Sequence, residues 1–171
     1  YAGRIDDYMA TDVWVAAILF GFQIYMDFSG YSDIAIGSAR MVGVHIPENF
    51  DWPYIARSPR DFWRRWHITL SSWIRDYLYL PLTGQRFHSD SQGGLEVAVG
   101  ESQRRSTWPL FLTWFIMGLW HGAAWRFAVW GVYHAFFIHL YRRVRWLRTL
   151  PERRPITAWG VTFLVCMLGW V

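Results

Sequence analysis

Apolar residues run from Val13 to Met26 as VWVAAILFGFQIYM, interrupted by Gln23, and DFSGYSDIAIGSARMVGV continues the run with small and apolar residues around a polar centre. The pattern predicts one helix over 13–44. At 1.5 Å per residue such a helix is about 48 Å long, more than the roughly 30 Å hydrocarbon core of a bilayer. It therefore requires tilt, a kink near Gly30 or a partly exposed end. The next stretch, HIPENFDWPYIARS (45–58), carries Pro47, Asn49 and Pro53 and reads as a loop. Ser58 then fits an N-cap, Pro59 the first helical position and Asp61 the third, so a helix is expected to start there.

Within that helix, predicted over 59–80, Phe62, Trp66, Leu70, Trp73, Tyr77 and Leu80 recur every three or four residues as an apolar stripe. Asp61, Arg64, His67, Ser71 and Arg75 fall on a polar face. Arg on one side and Trp on the other predict a helix lying in the membrane interface, ended by Pro81. Residues 83–107, polar and rich in Gly and Ser, read as a mobile connection.

Residues 108–140 are apolar except for Thr113, His121, Arg126, His134 and His139, and basic residues flank the tract on both sides. If the positive-inside bias applies to both flanks, the segment enters and returns as two short helices with a break near His121-Gly122 or Arg126. A single tilted crossing fits the same pattern. Residues 156–171 begin a further span.

Composition sharpens this picture. Of 171 residues, 53% are hydrophobic, with 13 Trp, 12 Phe and 9 Tyr, too many aromatics to hide in a small soluble core. A membrane protein rich in interfacial aromatics is the better class. The chain begins at Tyr1 without Met and stops in an apolar run, so it is expected to be part of a longer protein. Its net charge of +4 comes from arginines bordering hydrophobic runs. Anionic lipid and the positive-inside bias explain them more economically than nucleic acid does. The single cysteine, Cys166, allows no intramolecular disulfide or Cys-based zinc site.

Candidate chemistry centres on His121 in MGLWHGAAW. A polar group in hydrocarbon is costly without a partner. His121 is thus either a satisfied core histidine or a functional one, and Gly118 and Gly122 would admit close approach of a substrate. A neutral imidazole is suited to taking a proton from a hydroxyl near neutral pH. His67 and Arg64 belong either to a solvated face or to contact with an anionic donor. Asp27 and Asp33 are expensive if they face lipid. Asp33 either pairs with Arg40 on one helical face, or lines a wet cavity with Asp27, Ser29 and Tyr31. His45 and His88 are weaker candidates, and His134 and His139 point about 140° apart on a helix, a poor metal pair. GYSDI lacks the second Gly of a nucleophile elbow, and the absence of Lys excludes a P-loop.

Three features together resemble the membrane-bound O-acyltransferase (MBOAT) family, in its bacterial alginate O-acetyltransferase-like branch. They are YMDFSGYSDIAIGSARMVGVHIPENFDWPYIARSPRDFWRRWHITLSSWIRDYLYLPL (25–82), FLTWFIMGLWHGAAWRFAVWGVYHA (111–135), and the order and spacing linking them. The resemblance implies an all-α fold, a polytopic transmembrane helical bundle with an interfacial amphipathic helix, of which residues 1–171 form a single partial domain. It implies a tunnel through a locally thinned bilayer of a bacterial inner membrane, and acyl transfer from a thioester to a hydroxyl. In the W-H-G stretch it marks His121 as catalytic, and in the W-H-I-[ST]-L-S stretch it marks His67 as the second signature histidine.

On this basis His121 is expected to act as general base, with His67 and Arg64 positioning the donor, Asp27 and Asp33 forming the tunnel wall, and Trp120 beside the catalytic histidine contacting substrate. No bound cofactor or metal is expected; the co-substrate is an acyl thioester, with acetyl-CoA implied. The expected partners are the bilayer and a periplasmic polysaccharide acetyltransferase. Rival readings are D-alanyl or other acyl transfer to a cell-wall polymer, a His/Asp-lined transporter, and a non-catalytic scaffold.

Overall fold

The computed structural model describes residues 9–84, 86–89, 95–98 and 107–170. It is helical, apart from one short antiparallel ladder in the connection read as mobile. There β1 (Arg86–Ser89) pairs with β2 (Leu95–Ala98) in the register Arg86↔Ala98 to Ser89↔Leu95. The rest of 85–106 lies outside the described residues.

Helix α1 (Ala10–Met41, 32 residues) runs unbroken through Gly30. Ala17, Gly21, Ser32 and Ile36 are buried, while Val13, Leu19, Met26 and Ile34 face outward. Apolar side chains on nearly all sides suit hydrocarbon rather than water. Among the described residues, α1 is the one helix long and apolar enough to cross a membrane.

The loop after α1 contains a 3-10 turn (Pro53–Ile55) and leads to α2 (Pro59–Arg65), whose start follows the capping signal. The Ser58 hydroxyl accepts from Asp61 N–H at 3.2 Å, and the Asp61 carboxylate reaches back to Arg57 N–H at 3.3 Å. The expected continuous helix over 59–80 does not form. It breaks at His67, which sits in the left-handed region at φ 45°, and restarts as α3 (Ile68–Ile74). The cause is the preceding loop. Ile68 N–H donates to the Asn49 carbonyl at 2.9 Å, and the Asn49 side-chain oxygen accepts from Thr69 N–H at 3.2 Å and the Thr69 hydroxyl at 3.0 Å. Asn49 thus caps α3 from far upstream, supplying acceptors that a continuous helix would have taken from its own backbone. Arg65 fixes the same loop by bonding Asp51 and Asp61, each at 3.0 Å.

α3 continues into a π-helical turn (Arg75–Tyr79) and α4 (Leu80–Leu82), so Pro81 lies inside the last turn rather than ending the helix before it. The 108–140 tract is not a single crossing. α5 (Trp108–His121) ends at Gly122, and α6 (Trp125–Arg143) returns against it. At 14 residues α5 is about 21 Å long, short of a hydrocarbon core. The hairpin is tight enough that a Cβ on Gly118 would collide with the Phe127 carbonyl, and one on Gly131 with the Trp114 carbonyl. A short amphipathic helix, α7 (Arg145–Arg153), buries Leu150 and leads into α8 (Pro155–Gly169). α8 packs Ala158, Thr162, Val165 and Cys166 inward at helical spacing.

The core is largely aromatic. Trp66 stacks on Phe62 (5.6 Å between centroids), and Trp63 meets Trp114 edge-on at 4.8 Å. Tyr54 joins three parts of the chain, donating to the Gly21 carbonyl at 2.6 Å while its own carbonyl accepts from Trp159 Nε1 at 2.8 Å.

Candidate active site

His121 is the last residue of α5 and His67 the residue at which α2 gives way to α3, yet both line one pocket of about 610 Å³. In a regular helix Trp66 and His67 would point about 100° apart. The left-handed backbone at His67 instead lets both line the cavity. A non-glycine residue held in that region costs free energy, which local structure must offset.

The hydrogen-bond pattern sets the His67 tautomer. Its Nδ1 lies 3.1 Å from Asn49 Oδ1, the oxygen that already accepts from Thr69 twice. An amide oxygen only accepts, so Nδ1 carries the proton and Nε2 holds a free lone pair. Phe28 braces the ring edge-on at 4.7 Å. Burial, and then the like charge of His121, push the His67 imidazole down to about 4 from its ordinary 6.5. It is neutral at physiological pH.

His121 is held between two indoles, with Trp120 and Trp130 each 5.0 Å away, centroid to centroid. Trp130 also packs edge-on against His134 at 4.9 Å. His134 is fully buried in an aromatic box, and its Nε2 finds no partner among the described residues. Tyr133, also on the cavity wall, donates its hydroxyl to the Val165 carbonyl at 2.8 Å and ties α6 to α8.

The structure brings together His121 and His67, keeps Trp120 against His121, and leaves Arg64, Asp27 and Asp33 elsewhere. Trp120 touches His121, but it is 63% exposed and does not line the pocket. Arg64 lines a separate cavity. Asp27 and Asp33 are exposed on α1 and line neither pocket. The pairing of Asp33 with Arg40 does not form, because seven helical residues separate them by about 10 Å along the axis. Arg40 bonds Glu48 instead, at 3.3 Å, where the chain doubles back after α1. Ser29 turns its hydroxyl onto the Met26 carbonyl at 3.4 Å, and Tyr31 is exposed; neither lines the histidine pocket.

Sequence reasoning missed the rest of the wall, including Trp66, Trp130 and Trp170 from three different elements, and Arg126. Arg126 had a signal, as the sole arginine interrupting the 108–140 apolar tract. Its guanidinium sits 5.0 Å over the Phe127 ring.

A pocket in a helical membrane scaffold, lined by a tautomer-fixed imidazole and a second imidazole, is the arrangement expected of proton-transfer chemistry on a hydroxyl. Residues 8–171 match the profile of the membrane-bound O-acyltransferase family, and the chain belongs to that family. It is 42% identical to the "Probable alginate O-acetylase AlgI" of Pseudomonas syringae pv. tomato, over 94% of this chain and 28% of the relative. It is 39% identical to a peptidoglycan O-acetyltransferase of Helicobacter pylori, over 92% of this chain and 28% of the relative. It is 30% identical to a teichoic acid D-alanyltransferase of Bacillus subtilis, over 89% of this chain and 39% of the relative. The chain therefore spans less than a third of the alginate O-acetylase relative's length.

Proposed function

We propose that the protein carrying this chain transfers an acyl group, acetyl by preference, from a thioester such as acetyl-CoA to a hydroxyl in the O-acetylation of an extracellular polysaccharide of the alginate type. The observation that carries this reading is the convergence of His121 and His67 on one cavity from separate elements. Both O-acetyl relatives are nearer in identity than the D-alanyl one, which favours acetyl.

In this mechanism His121 accepts the proton of the acceptor hydroxyl as that oxygen attacks the thioester carbonyl carbon. The partial negative charge at the C-terminus of α5 favours the imidazolium that forms. The tetrahedral intermediate collapses, the carbon–sulfur bond breaks, and the imidazolium returns its proton to the departing thiolate. His67, neutral and anchored by Asn49, offers Nε2 as an acceptor that orients a donor or acceptor group in the cavity. Arg126 supplies a cation at the wall. The aromatic lining keeps water from the thioester.

The scaffold in this reading is a multi-spanning bundle in the bacterial inner membrane, with α1 and α8 in the bilayer and the α5–α6 hairpin carrying His121 partway into it. A periplasmic polysaccharide acetyltransferase is the proposed partner, receiving the acyl group for the polymer. The test is acetyl transfer by full-length protein in membranes. His121→Ala should insert at normal levels while losing roughly 10²- to 10⁴-fold in rate. Normal transfer by that variant overturns the assignment.

A further inference from the structure

A second cavity, of about 460 Å³, lies beyond the indole of Trp63 and shares no lining residue with the histidine pocket. Its wall carries Arg60 and Arg64 from α2, Arg75 from the π-helical turn after α3, and Arg142 from α6, and no Asp or Glu. Arg75 is neutralised by Asp76, at 2.6 and 3.0 Å. The Arg142 guanidinium is propped on the Tyr79 hydroxyl by two bonds of 3.2 Å. Arg60 and Arg64 have no acidic partner among the described residues. Unpaired guanidiniums gathered on one cavity attract a phosphate, whose oxygens accept from them with charge-assisted geometry.

Trp63 and Thr113, 8% and 4% exposed, also form part of the wall of this cavity. The remaining wall is apolar, built of Trp114, Met117, Leu110 and Ile138. An inorganic ion leaves such a wall unused, whereas an amphiphile with a phosphate at one end covers it. The arginine-bearing segment is also the one whose sequence pattern places it in the membrane interface, where anionic headgroups are concentrated.

We propose that this cavity is a binding site for the phosphodiester headgroup of an anionic phospholipid, with Arg60, Arg64 and Arg142 on the phosphate and the first part of the glyceride and acyl chains on the Trp114 side. The site is independent of the acyl-transfer reading, because no residue is common to both cavities. Its occupant would brace α2 and α3 against the α5–α6 hairpin that carries His121.

The test is native mass spectrometry of full-length protein in detergent, titrated with phosphatidylglycerol, phosphatidylcholine or inorganic phosphate. Wild type should retain phosphatidylglycerol selectively over phosphatidylcholine. Arg60→Gln/Arg64→Gln should weaken that binding roughly 30-fold, about fivefold per guanidinium. Arg153→Gln/Arg154→Gln, equally charged but outside the cavity, should bind as wild type does. Equal retention of the two lipids overturns the proposal, as does unchanged affinity in Arg60→Gln/Arg64→Gln. If inorganic phosphate displaces phosphatidylglycerol at matching concentration, the site takes phosphate alone and the lipid assignment falls.

Discussion

Asn49 Oδ1 stands 3.1 Å from His67 Nδ1 and at once accepts both hydrogen bonds offered by Thr69, so one amide oxygen starts a helix and sets a tautomer. Removing it should damage both. Asn49→Ala is expected to lower stability by about 1 kcal/mol, the usual worth of a cap, and to reduce acyl transfer by freeing the His67 ring. Asn49→Asp keeps an acceptor for Thr69 and should restore stability. Its carboxylate raises the His67 pKa, so the acidic limb of the pH–rate profile should move upward. Thermal unfolding and pH–rate profiles of both variants check this, and an unshifted Asn49→Asp profile would contradict the proposed contact.

The depressed pKa of His67 predicts a pH dependence of stability. Burial and the His121 charge hold it at about 4 when folded against 6.5 when free, so between those values the unfolded chain binds a proton that the folded chain refuses. Stability attributable to this group is therefore whole above about pH 6.5 and falls as pH drops toward 4. His67→Gln should flatten that part of the melting temperature against pH. An identical slope in the variant would assign the dependence to other groups.

The α5–α6 hairpin depends on glycines that face backbone. Gly118→Ala or Gly131→Ala would drive a methyl into a carbonyl that cannot rotate away, at a cost of about 1–3 kcal/mol. Both should lower the melting temperature and, by parting His121 from Trp130, lower activity as well. Gly160→Ala, with open space around its Cβ position, should be neutral or stabilise α8. Size-exclusion melting curves of the three variants make the comparison.

Ser58→Ala tests the start of α2. The Asp61 N–H loses its 3.2 Å acceptor, and stability should drop by about 1 kcal/mol. Ser58→Asp, which restores an acceptor, should recover it in the same melts.

Features that depend on neighbours along the chain were legible in the sequence. The Ser58–Asp61 cap, the loop rich in proline and asparagine, and the apolar run of α1 each follow from a handful of consecutive residues, although α1 lies three residues upstream of the 13–44 expected. The 108–140 tract left two topologies open, because hydropathy does not separate a tilted crossing from a hairpin. Contact between Gly118 and the Phe127 carbonyl, and between Gly131 and the Trp114 carbonyl, goes with the hairpin.

The break at His67 was hidden for a different reason. The residues around it keep the periodicity of an unbroken amphipathic helix, and the group that interrupts it, Asn49, lies 18 residues upstream. Arg40 bonding Glu48 rather than Asp33, and Arg64 lining a cavity away from His67, are likewise set by how the chain folds back on itself. The sequence by itself determined that this is a helical membrane chain with two signature histidines, since hydropathy, capping and motif spacing are properties of short runs. Only the tertiary structure decided that those histidines share a pocket and that Trp66, Trp130 and Trp170 wall it. Such a cavity is enclosed by side chains distant in sequence, and packing rather than periodicity sets their approach.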